Sequence, residues 1–415
     1  MTFLLKDSSS HILDERDALL ASSLVRIQLP PSDYAKADQR YQTLAAWIER
    51  EGSALKGRVL LVYGQGSMAI GAVVAAKASN DEFDVDAMVA LSLPEDSDPE
   101  TVLDLLYRVV RGEPGSRYYD CTVRCSRCVQ VRYADGMHVD LTPAVPRAGR
   151  PERESIIFHH RAETPSVPGQ RVIANPYGFA DWFRANTPPD ALFKSVLDEY
   201  AALARVQKAE AEPLPGPREP HEASRAVASL QLIKRFRNLR YNDRDARCPP
   251  SVMLSKLVAE HKVLGAGLSR ALLSHATNLR DLFAAEQASG RLIEVRNPAC
   301  WADNFSDRWP ATAKDQALWI GDLDRLVARL TTYVHGDLDL SQRQAILAEL
   351  FGETAALSAV RALGEQIGAQ KAAGQSRHTP GAGRLILPIG GITPALGRVT
   401  PRTDYFGGTV TWRPR

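Results

Sequence analysis

From Val62 to Leu91 the chain reads VYGQGSMAIGAVVAAKASNDEFDVDAMVAL: an apolar strand, a glycine-rich turn, then a second strand opening on two aspartates one residue apart. This stretch limits the fold more tightly than any other, because strand, phosphate-sized turn and paired acids must meet in one α/β core. Gly64-Gln65-Gly66-Ser67-Met68-Ala69 matches the G-x-G-x-x-G/A fingerprint of dinucleotide sites. In those sites the ribose-binding acid follows the apolar run of its strand. Here Asp84 and Asp86 come before Ala87-Met88-Val89-Ala90-Leu91, and the reversed polarity counts against a dinucleotide site.

A second chemistry accounts for more residues. Strand side chains alternate, so Asp84 and Asp86 share a face about 7 Å apart, at ~3.3 Å per residue. Carboxylates so spaced can bracket two Mg²⁺ (or Mn²⁺) ions, one beside an attacking hydroxyl and one beside a leaving pyrophosphate. Gly66 lets the backbone approach a triphosphate, and Ser67 places a hydroxyl at a helix N-terminus. The chemistry needs a third carboxylate from a neighbouring strand. Asp140 in MHVDLTPAV supplies one, within a short apolar run that has little other reason for an acid. A lone D-x-D is most often a solvated strand end. Joined to a Gly-Ser turn upstream and a strand-borne Asp downstream, it points to metal-dependent nucleotidyl transfer.

Along the rest of the chain, SDYAKADQRYQTLAAWIERE reads as an amphipathic helix opened by Ser32, with Tyr34, Ala37, Tyr41, Leu44, Ala45 and Ile48 on one face. RVLLVYG and DVDAMVAL are buried strands. CTVRCSRCVQVRY and MHVDLTPAV form a hairpin across ADG. From Ala191 the pattern turns helical, over 191–211, 222–240, 251–262, 265–288, 313–334 and 340–368, with a proline-rich loop at 212–220. Residues 371–415 carry seven basic residues against the single acid Asp404, with many Gly, Pro and Thr, the composition of a poorly ordered or extended tail. The expected organisation is a catalytic core over 1–190, a helical C-terminal lobe over 191–370 and a tail over 371–415.

At 415 residues the chain suits two or three domains of ~150 residues, and its 44% hydrophobic content supports a large core. A net charge of +2 gives no strong bulk attraction to nucleic acid or membrane. No run of ~18 apolar residues spans a bilayer, and MTFLLKDSSSHILDERD lacks a signal-peptide pattern. Five cysteines, an odd count, fit a reducing cytoplasm rather than a disulfide framework. Cys121, Cys125 and Cys128 invite a zinc reading, but on one strand Cys125 and Cys128 would face opposite ways, with no close histidine to complete four ligands. Small packing residues are the simpler account.

The sequence resembles the bacterial cGAS/DncV-like nucleotidyltransferases over about residues 30–370. The likeness rests on GS at 66–67, DVD at 84–86, VD at 139–140, NPYGFADWF at 175–183, LQLIKRFRN at 230–238, PPSVMLSKL at 249–257 and NPACWADNFSDRW at 297–309. It implies a two-lobed α/β core, a mixed sheet with flanking helices, closed by a helical C-terminal lobe. It implies synthesis of a cyclic di- or trinucleotide messenger from ATP, GTP or both, in anti-phage signalling. By the same likeness Lys234 contacts the triphosphate and Ser251, opening and capping its helix, meets the phosphates; the alternative for Lys234, beside Arg235, Arg237 and Arg240, is a solvated basic face. One departure is Ala72, where many relatives carry Thr or Ser, so no side-chain hydroxyl serves a phosphate there. Asn175, Tyr177, Phe179, Trp182 and Phe183 are expected to close the site beneath the helical lobe, the last two as core; Asn304 and Trp309 are expected to be structural. His138 shares a strand face with Asp140 and could orient it. The apolar segments LILPIGGI and DYFGGTVTW make the tail a handle for a regulatory protein or effector. Two alternatives share much of this pattern: a linear nucleotidyltransferase acting on RNA or protein, which a strongly basic surface would favour, and a non-enzymatic nucleotide sensor, in which a carboxylate would be missing.

Overall fold

The computed structural model describes residues 15–74, 83–164, 167–190, 193, 197, 224–264, 267–372, 377–378, 385–387 and 398–399. Two helices, α1 (Glu15–Ile27) and α2 (Pro31–Ile48), precede strand β1 (Val59–Gly64), the single turn α3 (Gly66–Ala69) and strand β2 (Phe83–Leu91). Helix α4 (Pro99–Arg111) then leads to β3 (Thr122–Arg124), β4 (Val129–Arg132), β5 (Met137–Pro146), β6 (Ser155–His159), β7 (Gln170–Ala174) and helix α5 (Pro176–Asn186). The sheet runs β1-β2-β5-β4-β3, with β6 on the far half of β5 and β7 beyond it. Only β2 and β5 pair in parallel, so the sheet is mixed.

The period of two expected of half-buried strands is observed. Val85, Ala87, Val89 and Leu91 of β2, with Met137, Val139, Leu141 and Val145 of β5, pack into one core with α2 and α4. Asp84, Asp86, His138 and Asp140 therefore fall on the opposite face. Helix α4 is bounded by local chemistry: Asp98 accepts from the Thr101 amide, Pro99 occupies the first turn, and Gly112 ends it at φ 71°. Helix α2 buries Ala37, Leu44 and Ile48 as its spacing predicts. It begins at Pro31, however, and Pro30 at its N-cap gives no side-chain cap, so Ser32 does not open it.

The helical part comprises α6 (Arg225–Tyr241), α7 (Ser251–Glu260), α8 (Leu268–Ala288), the hairpin β8 (Arg296–Asn297) and β9 (Cys300–Asn304), then α9 (Ala313–His335), α10 (Leu340–Phe351) and α11 (Glu353–Ala372). The single helix expected over 340–368 is two. Gly352 stands between them at φ 98°, a left-handed conformation that ends α10 and starts the chain on a new axis. Helix α1 joins this helical core rather than the sheet: Leu19, Leu20, Leu24 and Ile27 pack with Ala355, Ala359 and Leu363 of α11. Asp17 accepts from the Ser269 amide at 2.7 Å, and the Tyr333 hydroxyl donates to the Arg16 carbonyl at 2.8 Å. NPYGFADWFRAN is α5, capped by Asn175, whose Oδ1 accepts from the Gly178 amide at 2.8 Å. Phe183 and Trp309 are fully buried, and Asn304 serves its own turn by accepting from the Ser306 amide and hydroxyl.

In the tail, β10 (Arg377–His378), β11 (Leu385–Leu387) and β12 (Arg398–Val399) form a small antiparallel sheet. The segment DYFGGTVTW, the loop at 212–220 and all of the helix expected over 191–211 except Phe193 and Leu197 lie outside the described residues.

Candidate active site

The site is the face of the β2–β5 pair turned away from the α2–α4 core. The parallel register sets Asp86 beside Asp140 and Asp84 beside His138. Three carboxylates from two strands thus meet on one face. The Gly66 turn closes directly over Asp86: the Gln65 amide donates to the Asp86 carbonyl at 2.8 Å, and a Cβ placed on Gly66 would collide with the Asp86 carboxylate. With φ at +61°, position 66 needs glycine for backbone conformation as well as for space. Gln65 ties the turn to β5 by donating to Thr142 Oγ1 at 3.2 Å. Helix α3 after it is a single turn, so Ser67 gains little from a helix dipole.

Lys234 reaches this turn from α6. It is only 4% exposed, and its Nζ donates to Ser67 Oγ at 2.7 Å and to the Ala72 carbonyl at 2.6 Å. The solvated basic face is thereby excluded. Its neighbours are also engaged: Arg235 donates to the Phe351 carbonyl, and Arg237 to the Pro249 carbonyl and to Ser251 Oγ at 3.0 Å. Ser251 opens α7 but does not cap it; Pro250 holds the N-cap position and no side chain bonds there. Gly66, Ser67, Lys234 and Asp86 therefore form one group, and Ser251 stands outside it, bonded to Arg237, whose charge acts on Lys234.

Electrostatically the group is unbalanced. Burial pushes the Asp86 carboxyl up to about 7, with the charges of Asp140 and Asp84 adding to the shift and Lys234 opposing it. Burial likewise brings Lys234 down to about 7, helped by Arg237 and countered by Asp86. Asp140 is raised mainly by burial, while its hydrogen bonds from Gln130 and Cys128 pull the other way. Asp84 is the open member, its side chain 60% exposed with Oδ1 3.3 Å from His138 Nδ1. His138 thus faces Asp84, not Asp140 as its strand position had implied. Among the described residues no three His, Cys, Asp or Glu side chains are drawn together tightly enough to enclose an ion. The donor set is nevertheless all carboxylate oxygen, crowded and short of positive charge, which suits a hard divalent cation that takes its remaining ligands from water and phosphate.

CTVRCSRCVQVRY is not one strand but two. Cys125 and Cys128 flank the β3–β4 turn, where the Cys125 amide donates to the Cys128 carbonyl at 2.9 Å. They share a face instead of opposing, yet no further ligands gather for zinc among the described residues. Sequence reasoning missed Gln65, Gln130 and Cys128. Gln130 carried a signal, a polar residue between two valines on a core strand; Cys128 carried none once the turn was overlooked.

A strand-borne acid trio under a Gly-Ser turn, met by a lysine from a separate helical part, defines the chain as a nucleotidyltransferase. Residues 17–156 match the Second Messenger Oligonucleotide or Dinucleotide Synthetase domain family. The chain is 35% identical over 392 residues to the cyclic dinucleotide synthase CdnG of Bradyrhizobium diazoefficiens, across 94% of this chain and 92% of that one. It is 22% identical over 383 residues to a c-di-GMP synthase of Roseivirga ehrenbergii, covering 88% and 92%. The solved structure of Bradyrhizobium CdnG in complex with GTP matches with a TM-score of 0.72 at 34% identity, over 85% of this chain and all of that one. CdnC of E. coli MS115-1 with ATP shares the fold, at a TM-score of 0.53 and 16% identity over 82% of this chain and 98% of that one. The chain belongs to the cGAS/DncV-like nucleotidyltransferases, the synthases of cyclic oligonucleotide second messengers.

Proposed function

We propose that this enzyme condenses nucleoside triphosphates, GTP first among them and ATP as a second substrate, into a cyclic di- or trinucleotide messenger for anti-phage signalling in the cytoplasm. The observation that carries the proposal is the parallel β2–β5 register, which sets Asp86 against Asp140 with Asp84 two residues away and the Gly66 turn overhead. Asp84 and Asp86 hold a pair of divalent cations, Mg²⁺ or Mn²⁺, and Asp140 serves the hydroxyl side. When bound, the cations neutralise charge at the attacking and leaving oxygens. The protein's own part is positioning. Gly66 leaves the backbone open to the phosphates, and Ser67 presents its hydroxyl beside them. The Lys234 ammonium has three N–H donors and spends two on Ser67 and Ala72, leaving one for a phosphate oxygen. An arriving triphosphate keeps that ammonium charged, and Arg237 carries Ser251 to the same edge.

Among the described residues no helix is long and apolar enough to cross a membrane. The basic tail over 371–415 is the handle for a regulatory protein or effector. Cutting the chain after Gln370 should therefore leave basal synthesis within a few-fold of the parent, and complete loss of activity in a stable truncated protein would contradict it.

The decisive assay is incubation with Mg²⁺ and labelled triphosphates, singly and in pairs, followed by phosphatase. A phosphatase-resistant product that vanishes in Asp86→Asn is expected. Only phosphatase-sensitive chains would make the enzyme a linear transferase.

A further inference from the structure

Asp140 is held from behind by side chains that the roles above do not use. Gln130 lies opposite it in the β4–β5 register, and Gln130 Nε2 donates to Asp140 Oδ1 at 2.9 Å. Arg132 Nε donates to Gln130 Oε1 at 2.7 Å, which fixes the amide with its nitrogen toward the carboxylate.

Val129 and Val131 of β4 are fully buried in the core beneath the sheet, so Gln130 between them takes the face that bears Asp140. The other two acids are held otherwise. Asp86 is packed under the Gly66 turn, and Asp84 has the longer His138 contact. Asp140 is gripped by an amide that is itself held by an arginine.

We propose that Gln130, locked by Arg132, is a positioning residue for the synthesis reaction, aiming the Asp140 carboxylate at the hydroxyl-side cation. The inference rests on the reading of Asp140 as the third carboxylate. Partners that orient a ligating group commonly account for ~10–100-fold in metal affinity or activity. Losing a single donor should fall at the lower end of that range. Because the triphosphate is held by the Lys234 group, the loss should appear in turnover and in cation demand, not in triphosphate KM.

The test is steady-state synthesis by the full chain with GTP, alone and with ATP, across a Mg²⁺ titration, alongside melting curves. Gln130→Leu should lower kcat by ~10-fold and raise the Mg²⁺ concentration needed both for half-maximal rate and for half-maximal gain in melting temperature, with triphosphate KM nearly unchanged. Arg132→Met, which frees the amide to turn over, should act the same way more weakly, and Arg132→Lys, still a donor, should hold close to the parent rate. The inference is overturned if Gln130→Leu turns over normally, or if Arg132→Lys is as slow as Arg132→Met. Asp140→Asn separates the two levels. A full rate in Asp140→Asn sinks the site assignment itself, whereas a slow Asp140→Asn with a fast Gln130→Leu sinks only the positioning role.

Discussion

The molecule buries charge in two places, with opposite results. On the helical side, Asp322 of α9 is 3% exposed and is met by Arg240 at 2.8 Å and by Arg244 at 2.5 and 2.9 Å. The acid is surrounded by its own counter-charges, and hydrogen bonding to it raises Arg244. On the sheet, three carboxylates share one lysine, and both Asp86 and Lys234 are driven toward neutrality near 7. Complete internal pairing marks a strut between helices. Incomplete pairing marks a place built to receive charge from outside, cation and phosphate together.

Asp86→Asn gives the starkest contrast. Turnover should fall by ~10³-fold, about 4 kcal/mol, while the cation-free protein should melt no earlier than the parent, since a crowded charge has been removed. Paired synthesis assays and melting curves check both halves. Asp322→Ala should do the reverse, costing about 3 kcal/mol of stability because two arginines lose their partner, while triphosphate KM stays unchanged. Denaturant titration measures it; an unaltered midpoint would dissolve the distinction between the two clusters.

Lys234→Ala should raise triphosphate KM more than it lowers kcat, by the 1.5–3 kcal/mol of a charge-assisted contact, about 10–100-fold. An unchanged KM would leave Lys234 a purely structural tie between α6 and the Gly66 turn. The most gradual effect is in pH. Asp86 titrates near 7 in the fold against an ordinary 3.8, so the folded state binds its proton more tightly than the unfolded chain does. Stability of the cation-free enzyme, relative to Asp86→Asn, should therefore rise as pH falls from about 7 toward 4, by ~1 kcal/mol per pH unit. Lys234 acts in the window above, its penalty growing as pH falls from 10.5 to about 7. Saturating Mg²⁺ should flatten the acidic slope, and a slope that chelation leaves untouched would locate the titration elsewhere.

The carboxylates were readable from sequence because a strand repeats every second residue: one register places Val85, Ala87 and Val89 inward and Asp84 and Asp86 outward together. The Gly66 turn was readable for a similarly local reason. What lay between elements was not. The burial of Lys234 depends on a contact with Ser67 more than a hundred and fifty positions away, which no local spacing encodes, and its run of basic neighbours looks like a wet surface. The two-strand character of residues 122–132 hid behind a turn, Cys-Ser-Arg-Cys, that lacks the usual Asn-Gly or Asp-Gly. The break at Gly352 was written as a glycine but masked by helical periodicity on either side. Helix α1 was not expected from the sequence at all, and its place rests on contacts with α11 that no local spacing encodes.

That placement has a consequence for how the enzyme is made. With α1 locked against α11, the sheet is an insertion inside the helical lobe, attached by two passes of chain instead of one. A ribosome releases α1 long before α11, so that contact must wait for the sheet and most of the helical lobe to be made, with α6 and α8 reaching α1 sooner. Closing so long a loop costs little at equilibrium, since each doubling of length adds only about 0.6 kcal/mol. In time it is expensive, because such distant contacts form late and leave apolar surface open to other chains. The nascent protein is thus most vulnerable to aggregation in the interval when the sheet is already whole and its frame is not.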